Sequence, residues 1–377
     1  MRMLANSLLG NLFKLGGNSA PIGVDLGSAA IKLAQVNPSR PDAPGQCATA
    51  CVSIPDELRA DPRARIDFFV QSVPRLLEQG GFRGRQVVLA LPACCTHFER
   101  VRIPLLDEQA TRQAIVFEAA DKLPFHPTRG LIRHIIAGEI YENNEPRNEV
   151  IVMAARRQFT DALLAAAAKA KLDTIGVMAE PLALGSGLGA GATPEESRAI
   201  VDIGSSGTRV YILAGERIQF ARAVTIGAEH FDLAIAQQLR LKLSDARAMR
   251  QQAAVTEVPP AASDARQQTL RIEQACQTPL RKLIEELDLC LRYHTATFPT
   301  TPVKRLVFVG GGSASRRLCQ RIAVELNLPA ELADPFARNS SDSGWDAVAS
   351  DASAMPSCAW WVAVGLSRSR LAARNAA

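Results

Sequence analysis

One short pattern occurs twice in this chain, and the repetition constrains its fold more than any other feature. Residues 22–36 read IGVDLGSAAIKLAQV: an apolar run ending at Asp25, a turn carrying Gly27, Ser28 and Ala29, then a β-prone run around Lys32. Residues 199–213 read AIVDIGSSGTRVYIL, with Asp202, Gly204, Ser205, Ser206, Gly207 and Thr208 in the same order. One such segment alone also closes an ordinary hairpin. Two in one chain point to an internal duplication. Small turn residues let backbone N–H groups approach a phosphate, and a neighbouring acid can hold the cation that neutralises it. The pair predicts two loops gripping a polyphosphate from opposite sides. In that reading Asp25 and Asp202 hold Mg²⁺ through water, and Asp202 is the stronger candidate because its loop is richer.

Length and composition set the frame. At 377 residues the chain exceeds one small domain, and 47% apolar with 21% charged residues is a soluble globular balance. The net charge of +5 is scattered without interleaved aromatics, so nucleic-acid binding has no support. Arg368, Arg370 and Arg374 read as a solvated end. The cysteines are Cys47, Cys51, Cys94, Cys95, Cys276, Cys290, Cys319 and Cys358, with no Cys-x-x-Cys pair and no metal spacing. Cys94 and Cys95 stand in an apolar, strand-like run, which predicts small buried thiols and a reducing compartment. No stretch reaches the ~18 apolar residues of a membrane span. Leu4, Leu8, Leu12 and Leu15 fall at helical spacing, so residues 3–15 predict a short amphipathic helix that can dock on the protein, a partner or a membrane surface.

Between and after the repeats the periodicity gives a coarse map. Residues 38–46 are a loop and 47–54 a strand. A helix over 65–79 ends at Gly80-Gly81. Strands follow at 86–91 and 97–103, a helix at 107–122 with Asp107 as N-cap, and strands at 131–141 and 149–155 around a polar turn at 142–148. Helices are predicted over 159–170 and 181–189, with a strand at 172–177 between them. The loosely spaced Gly185, Gly187, Gly189 and Gly191 read as close packing and a joint. A strand at 218–225 precedes helices at 227–239, at 243–252 with Ser244 as N-cap, and at 266–294, which Pro279 kinks or breaks. A strand at 306–309 runs into Gly310, Gly311, Gly312 and Ser313, then a helix at 315–326; a glycine loop opening a helix can hold phosphate or ribose. Residues 339–357 read as a polar loop and 359–367 as a closing helix.

Two phosphate loops followed by a triple-glycine loop resemble the actin-like ATPase fold in that order. Residues 22–36 resemble its first phosphate motif, 199–213 its second, and 306–317 its adenosine motif, while 174–188 and 359–367 resemble its connecting helices. Within that superfamily the chain resembles the PilM family of type IV pilus assembly. The residues that carry this are FEAADKLPF at 117–125, VMAARRQF at 152–159 and VMAEPLAL at 177–184. The resemblance implies an α/β actin-like ATPase fold with two duplicated lobes and an FtsA-type inserted α+β subdomain. Its parts are an N-terminal amphipathic segment (1–18), a first lobe (19–46 and 156–195, with a C-terminal helix at 358–370), an insertion (47–155) and a second lobe (196–357, with a helical subdomain at 228–300).

For function, the resemblance implies ATP and Mg²⁺ held by Asp25, Gly27, Ser28, Ala29, Lys32, Asp202, Gly204, Ser205, Ser206 and Thr208 at the phosphates. Gly310, Gly311, Gly312, Ser313 and Arg316 would take the adenosine end and Glu229 the ribose or adenine, although Ala228 stands where many relatives have a second glycine. Lys32 either reaches a phosphate or pairs with an acid in the core. The resemblance implies a nucleotide-binding scaffold with at most slow ATPase activity, cytoplasmic and peripheral at the inner membrane, with self-association left open. Its partner would be the cytoplasmic N-terminal tail of a PilN-like inner-membrane protein, and membrane contact would run through that partner or the N-terminal helix. The alternatives are an FtsA-like division protein, a type II secretion relative, or a small-molecule kinase. The kinase lacks an evident general base, and the FtsA-like reading lacks a C-terminal membrane helix.

Overall fold

The computed structural model describes residues 19–37, 47–188, 193, 196–255, 264–336 and 355–375. The amphipathic segment 3–15, the loop at 38–46, Gly189, Gly191 and most of the loop at 339–357 lie outside the described residues.

The first repeat is a hairpin. Strand β1 (Ile22–Leu26) pairs antiparallel with β2 (Ala30–Val36) across the small turn, and Asp25 lies opposite Lys32. Strand β3 (Cys47–Ser53) extends the sheet beyond β2. A short helix α1 (Asp56–Arg59) leads into α2 (Pro62–Gln79). The latter starts earlier than its periodicity suggests because Asp61 caps it, accepting from Arg63 N, and Pro62 occupies its first turn. Gly81, at φ +65°, ends it. Strand β4 (Gln86–Leu91) then adds parallel to β1.

The chain next leaves this sheet. Strand β5 (Thr96–Pro104), helix α3 (Glu108–Ala119), β6 (Gly130–Glu142) and β7 (Glu145–Arg156) form a separate three-stranded sheet, ordered β5-β7-β6, with one helix. Asp107 caps α3 by accepting from Ala110 N, as predicted. The β6–β7 hairpin is longer than expected, because Asn143 and Asn144 adopt positive φ and close it in two residues. Helix α4 (Arg157–Lys169) returns the chain to the first sheet, where β8 (Asp173–Ala179) pairs parallel with β4. The insertion is therefore smaller than residues 47–155. Strands β3 and β4 hydrogen-bond into the first sheet, whose order is β3-β2-β1-β4-β8, so the first lobe keeps residues 47–91.

Helix α5 (Glu180–Leu188) crosses to the second lobe. There β9 (Ser197–Ile203), β10 (Thr208–Ala214), β11 (Arg217–Val224), β12 (Val303–Val309) and β13 (Ala330–Leu332) build a sheet of order β11-β10-β9-β12-β13. Each pairing has the same sense as its counterpart in the first sheet: two antiparallel, then two parallel. The duplication read from one motif thus extends over both sheets. Between β11 and β12 lie α6 (Ala228–Leu239), α7 (Leu243–Val255), α8 (Asp264–Ala275) and α9 (Gln277–Thr297). The long predicted helix divides at Cys276, and Pro279 sits in the first turn of α9, where its missing N–H is tolerated. Ser244 lies inside α7 rather than capping it.

Helices α10 (Arg316–Glu325) and α11 (Trp361–Asn375) complete the chain. Helices α5 and α11 pack between the sheets, in a core of Ala183, Leu184, Trp361 and Leu366 with Ala90, Ile200, Tyr211 and Val309. Their crossing is a backbone contact. A Cβ on Gly365 would lie 2.1 Å from the Ala183 carbonyl oxygen; α11 also packs this closely on β1, where a Cβ on Gly23 would lie 1.9 Å from the Ala363 carbonyl oxygen. The lobes also meet away from this crossing: Arg247 of α7 reaches Asp56 of α1 at 2.6 Å while bonding Asp232 of α6 at 3.4 Å.

Candidate functional site

The two hairpin turns have the same internal economy. Gly27 N donates to Ala30 O at 3.0 Å and Gly204 N to Gly207 O at 2.9 Å, closing each turn. The loop carbonyls are then tied down. Ile54 N donates to Ala29 O, Arg65 Nη1 to Gly27 O, Ala228 N to Gly204 O and Glu229 N to Ser205 O. Among the described residues no protein acceptor takes the amides of Ser28, Ala29, Ser205 and Ser206. Turns with occupied carbonyls and free amides present positive partial charge, the arrangement that suits an anion. Gly227 is needed for this: a Cβ there would lie 2.3 Å from Gly207 N and 2.5 Å from Ser205 O.

A cluster of buried charge lies between the turns. Lys32 Nζ pairs with Asp25 Oδ2 at 2.6 Å and donates to Ala359 O at 2.7 Å, at the entry to the last helix. Burial opposes its charge, but Asp25, Asp202 and Glu180 outweigh that and raise its pKa. Lys32 is therefore the core partner of an acid. In the second hairpin Arg209 stands opposite Asp202 in the register, as Lys32 stands opposite Asp25 in the first. Its guanidinium lies against the second turn, where a Cβ on Gly207 would come within 2.8 Å of Nη1. Arg209 Nε is buried and has no hydrogen-bond partner. Glu180, at the start of α5, completes the cluster. Burial pushes its carboxyl up to about 8, opposed by Arg209 and Lys32 and reinforced by Asp202 and Asp25. Burial likewise raises Asp202, against the pull of Lys32 and Arg209.

The third loop joins this cluster directly. Gly310 adopts φ +86°, and a Cβ there would lie 2.2 Å from Asp202 Oδ1, so only glycine lets the loop pass the second hairpin. Gly312 packs as closely on Ile203. Gly311 is exposed, and Arg316, half-buried, begins α10 just beyond. Glu229 opens α6 near Arg59 of the first lobe, at the mouth between the lobes.

Two residues expected at the ligand have protein partners for their hydroxyls. Thr208 is fully buried and donates to Ile226 O at 2.7 Å, and Ser313 is fully buried and donates to Val309 O at 2.5 Å. Both hydroxyls hold their loops in shape. The prediction of buried thiols at Cys94 and Cys95 also fails: the pair forms a short 3-10 turn after β4, with Cys94 exposed and Cys95 half-buried. Sequence reasoning missed Arg209 and did not assign Glu180 to the site. The available signal was a lone charge in the otherwise apolar strand TRVYILA, since a buried charge requires partners.

The residues present fit a nucleotide polyphosphate with its cation. Free amides line both turns, Arg209 Nε is buried with no hydrogen-bond partner, and Asp25 and Asp202 stand beside Lys32 and Arg209 to receive a cation with the phosphates.

The family model for the type IV pilus assembly protein PilM matches residues 23–370. The chain belongs to the PilM family. Among solved structures, a PilM–PilN type IV pilus biogenesis complex superposes with a TM-score of 0.70 at 22% identity, covering 93% of this chain and 98% of that one. The ethanolamine utilization protein EutJ from Carboxydothermus hydrogenoformans gives 0.55 at 15% identity, covering 96% of this chain and 95% of that one. MreB 5 of Spiroplasma citri bound to AMPPNP gives 0.51 at 14% identity, covering 96% and 99%. No curated protein sequence matches the chain. The PilM match and these likenesses make the fold actin-like and the chain a component of type IV pilus assembly.

Proposed function

We propose that this PilM-family chain is a nucleotide-binding scaffold of the inner-membrane pilus platform that grips the cytoplasmic tail of a PilN-like protein. The observation that carries the nucleotide half is the facing of two amide-bearing turns across the Asp25–Lys32–Glu180–Asp202–Arg209 cluster. The amides of Ser28, Ala29, Ser205 and Ser206, with Gly27 and Gly204 shaping the turns, would hold the phosphates of ATP. Asp25 and Asp202 would hold Mg²⁺ through water, and Gly310, Gly311, Gly312, Arg316 and Glu229 would border the adenosine end. The bound cation supplies charge neutralisation to the phosphates. The chain's own contribution is to fix Asp25 through Lys32 and to hold the lobes at a defined separation.

The partner half rests on family membership and on the likeness to a PilM–PilN complex. No described helix is long and apolar enough to cross a membrane. Attachment at the inner membrane would run through the partner or through the N-terminal segment 3–15, which lies outside the described residues. Nucleotide acts on the partner only if it favours one arrangement of the lobes, because a ligand shifts an equilibrium by no more than its differential affinity.

Two measurements test the reading. Fluorescent ATP should bind in the presence of Mg²⁺, and Gly204→Arg should abolish that binding; unchanged affinity would remove the site from this cleft. A peptide of the PilN-like tail should be retained by the purified protein, and capture of division proteins alone from membranes would favour the FtsA-like alternative.

A further inference from the structure

The duplication gives the first lobe a counterpart to the triple-glycine loop. Strand β4 stands to the first hairpin as β12 stands to the second, and each strand runs into a 3-10 turn at the same end. In the second lobe that turn is Gly311 to Ala314; in the first it is Ala93 to Cys95. The first-lobe turn therefore faces the same centre, carrying two adjacent thiols in place of glycines.

Their surroundings differ from those of every other thiol in the chain. Arg65 of α2 is buried and bridges two groups: Nη1 donates to Gly27 O at 3.3 Å, and Nη2 lies 2.8 Å from Cys94 Sγ. Cys95 Sγ lies 3.4 Å from Cys94 Sγ. Cys94 is exposed, so a small reagent can reach it. With the Cys95 thiol as the donor of that sulfur–sulfur contact, and with the charges of Arg65 and Arg209 beside it, Cys94 is pulled below the ordinary thiol range despite burial. The same bond and burial raise Cys95. The six remaining thiols, Cys47, Cys51, Cys276, Cys290, Cys319 and Cys358, are all raised, with burial as the leading cause. An accessible thiolate beside a guanidinium, with a second thiol in contact, is the environment of oxidant-reactive cysteines.

We propose that Cys94 is a peroxide-reactive modification site and that Cys95 is its resolving thiol. The Cys94 thiolate attacks one oxygen of hydrogen peroxide. The S–O bond forms, the O–O bond breaks, and the departing hydroxide takes a proton to become water. Cys94 is then a sulfenic acid. The Cys95 sulfur, losing its proton, attacks Cys94 Sγ; the S–S bond forms, the S–OH bond breaks, and a second water leaves. The two thiols lose two electrons and the peroxide gains them. Adjacent residues hold their Cα atoms about 3.8 Å apart, closer than most disulfides, so a dithiol reductant readily reverses the bond. In the disulfide form Arg65 loses its anionic partner while still bonded to the first turn.

The test uses the full chain without nucleotide, so it is independent of the functional reading. With a small excess of peroxide, the wild type should yield a Cys94–Cys95 peptide lighter by two hydrogens and restored by dithiothreitol. Cys95→Ser should instead give a dimedone adduct at Cys94. Oxidation of exposed Cys51 ahead of Cys94, or an unlabelled Cys94 in Cys95→Ser, would overturn the proposal. Iodoacetamide alkylation of the wild type gives a readout free of folding effects. Cys94 should reach half its maximal rate at a pH below the ordinary thiol range, whereas a half-maximum within that range would also overturn it.

Discussion

At the level of single residues the cleft is organised by opposite charges placed at one offset in both repeats. Asp25 faces Lys32 across the first turn, and Asp202 faces Arg209 across the second. Removing one member of a buried pair leaves the other uncompensated. Lys32→Met should therefore cost about 3–5 kcal/mol in urea denaturation, and Asp25→Asn in the same chain should recover most of it. Glu180 gives a pH dependence of definite sign. Its folded pKa, about 8, lies above that of an unfolded glutamate, so the folded state binds the extra proton between the two values. Its contribution to stability therefore falls as pH rises through that window. Thermal melts from pH 5 to 8 should fall more steeply for the wild type than for Glu180→Gln. The acids and small turn residues were legible in the sequence because the motif repeats. Arg209 was equally repeated, but its partner in the first copy is a lysine, and an alternation of residue types hides the match. The carbonyl partners of Thr208 and Ser313 were not legible, because sequence shows a hydroxyl beside a loop and not which way it donates.

At the level of elements, the two sheets share one order and one set of strand directions, which a single repeated hairpin could only suggest. Most strands and helices were predicted within a few residues, since their apolar spacing is strong; of the caps, Asp107 stood in view, Asp61 was missed and Ser244 was misplaced. The short β13 was missed, because three residues carry no period. The insertion was overdrawn at its start because no composition change marks where the chain leaves the first sheet: β3 alternates half-buried and exposed positions with none fully buried. The crossing of α5 and α11 gives the sharpest element-scale prediction. A methyl at Gly365 meets the Ala183 carbonyl, backbone against backbone, so Gly365→Ala should lose about 1–3 kcal/mol or more. Gly176→Ala, whose new Cβ would find only ordinary contact with Val88 at 3.8 Å, is the control and should stay within about 0.5 kcal/mol.

At the level of the whole molecule, two lobes share a helix crossing at their base and touch again where Arg247 meets Asp56. Asp56 is exposed and at the edge of the first lobe, so Asp56→Asn should leave the melting temperature nearly unchanged. In the proposed nucleotide cleft it should speed release of a fluorescent nucleotide in stopped-flow displacement; an unchanged rate would mean that this contact does not limit opening. The contact also has a consequence for the surroundings in which the scaffold works. The Debye length is about 8 Å at physiological ionic strength and shortens as salt rises, which weakens a pair with one solvent-facing member, such as Asp56, more than a pair with both members buried. Rising salt should therefore loosen the rim while sparing the Asp25–Lys32 pair, so the residence time of the proposed nucleotide should shorten with salt while the folded body keeps its strength.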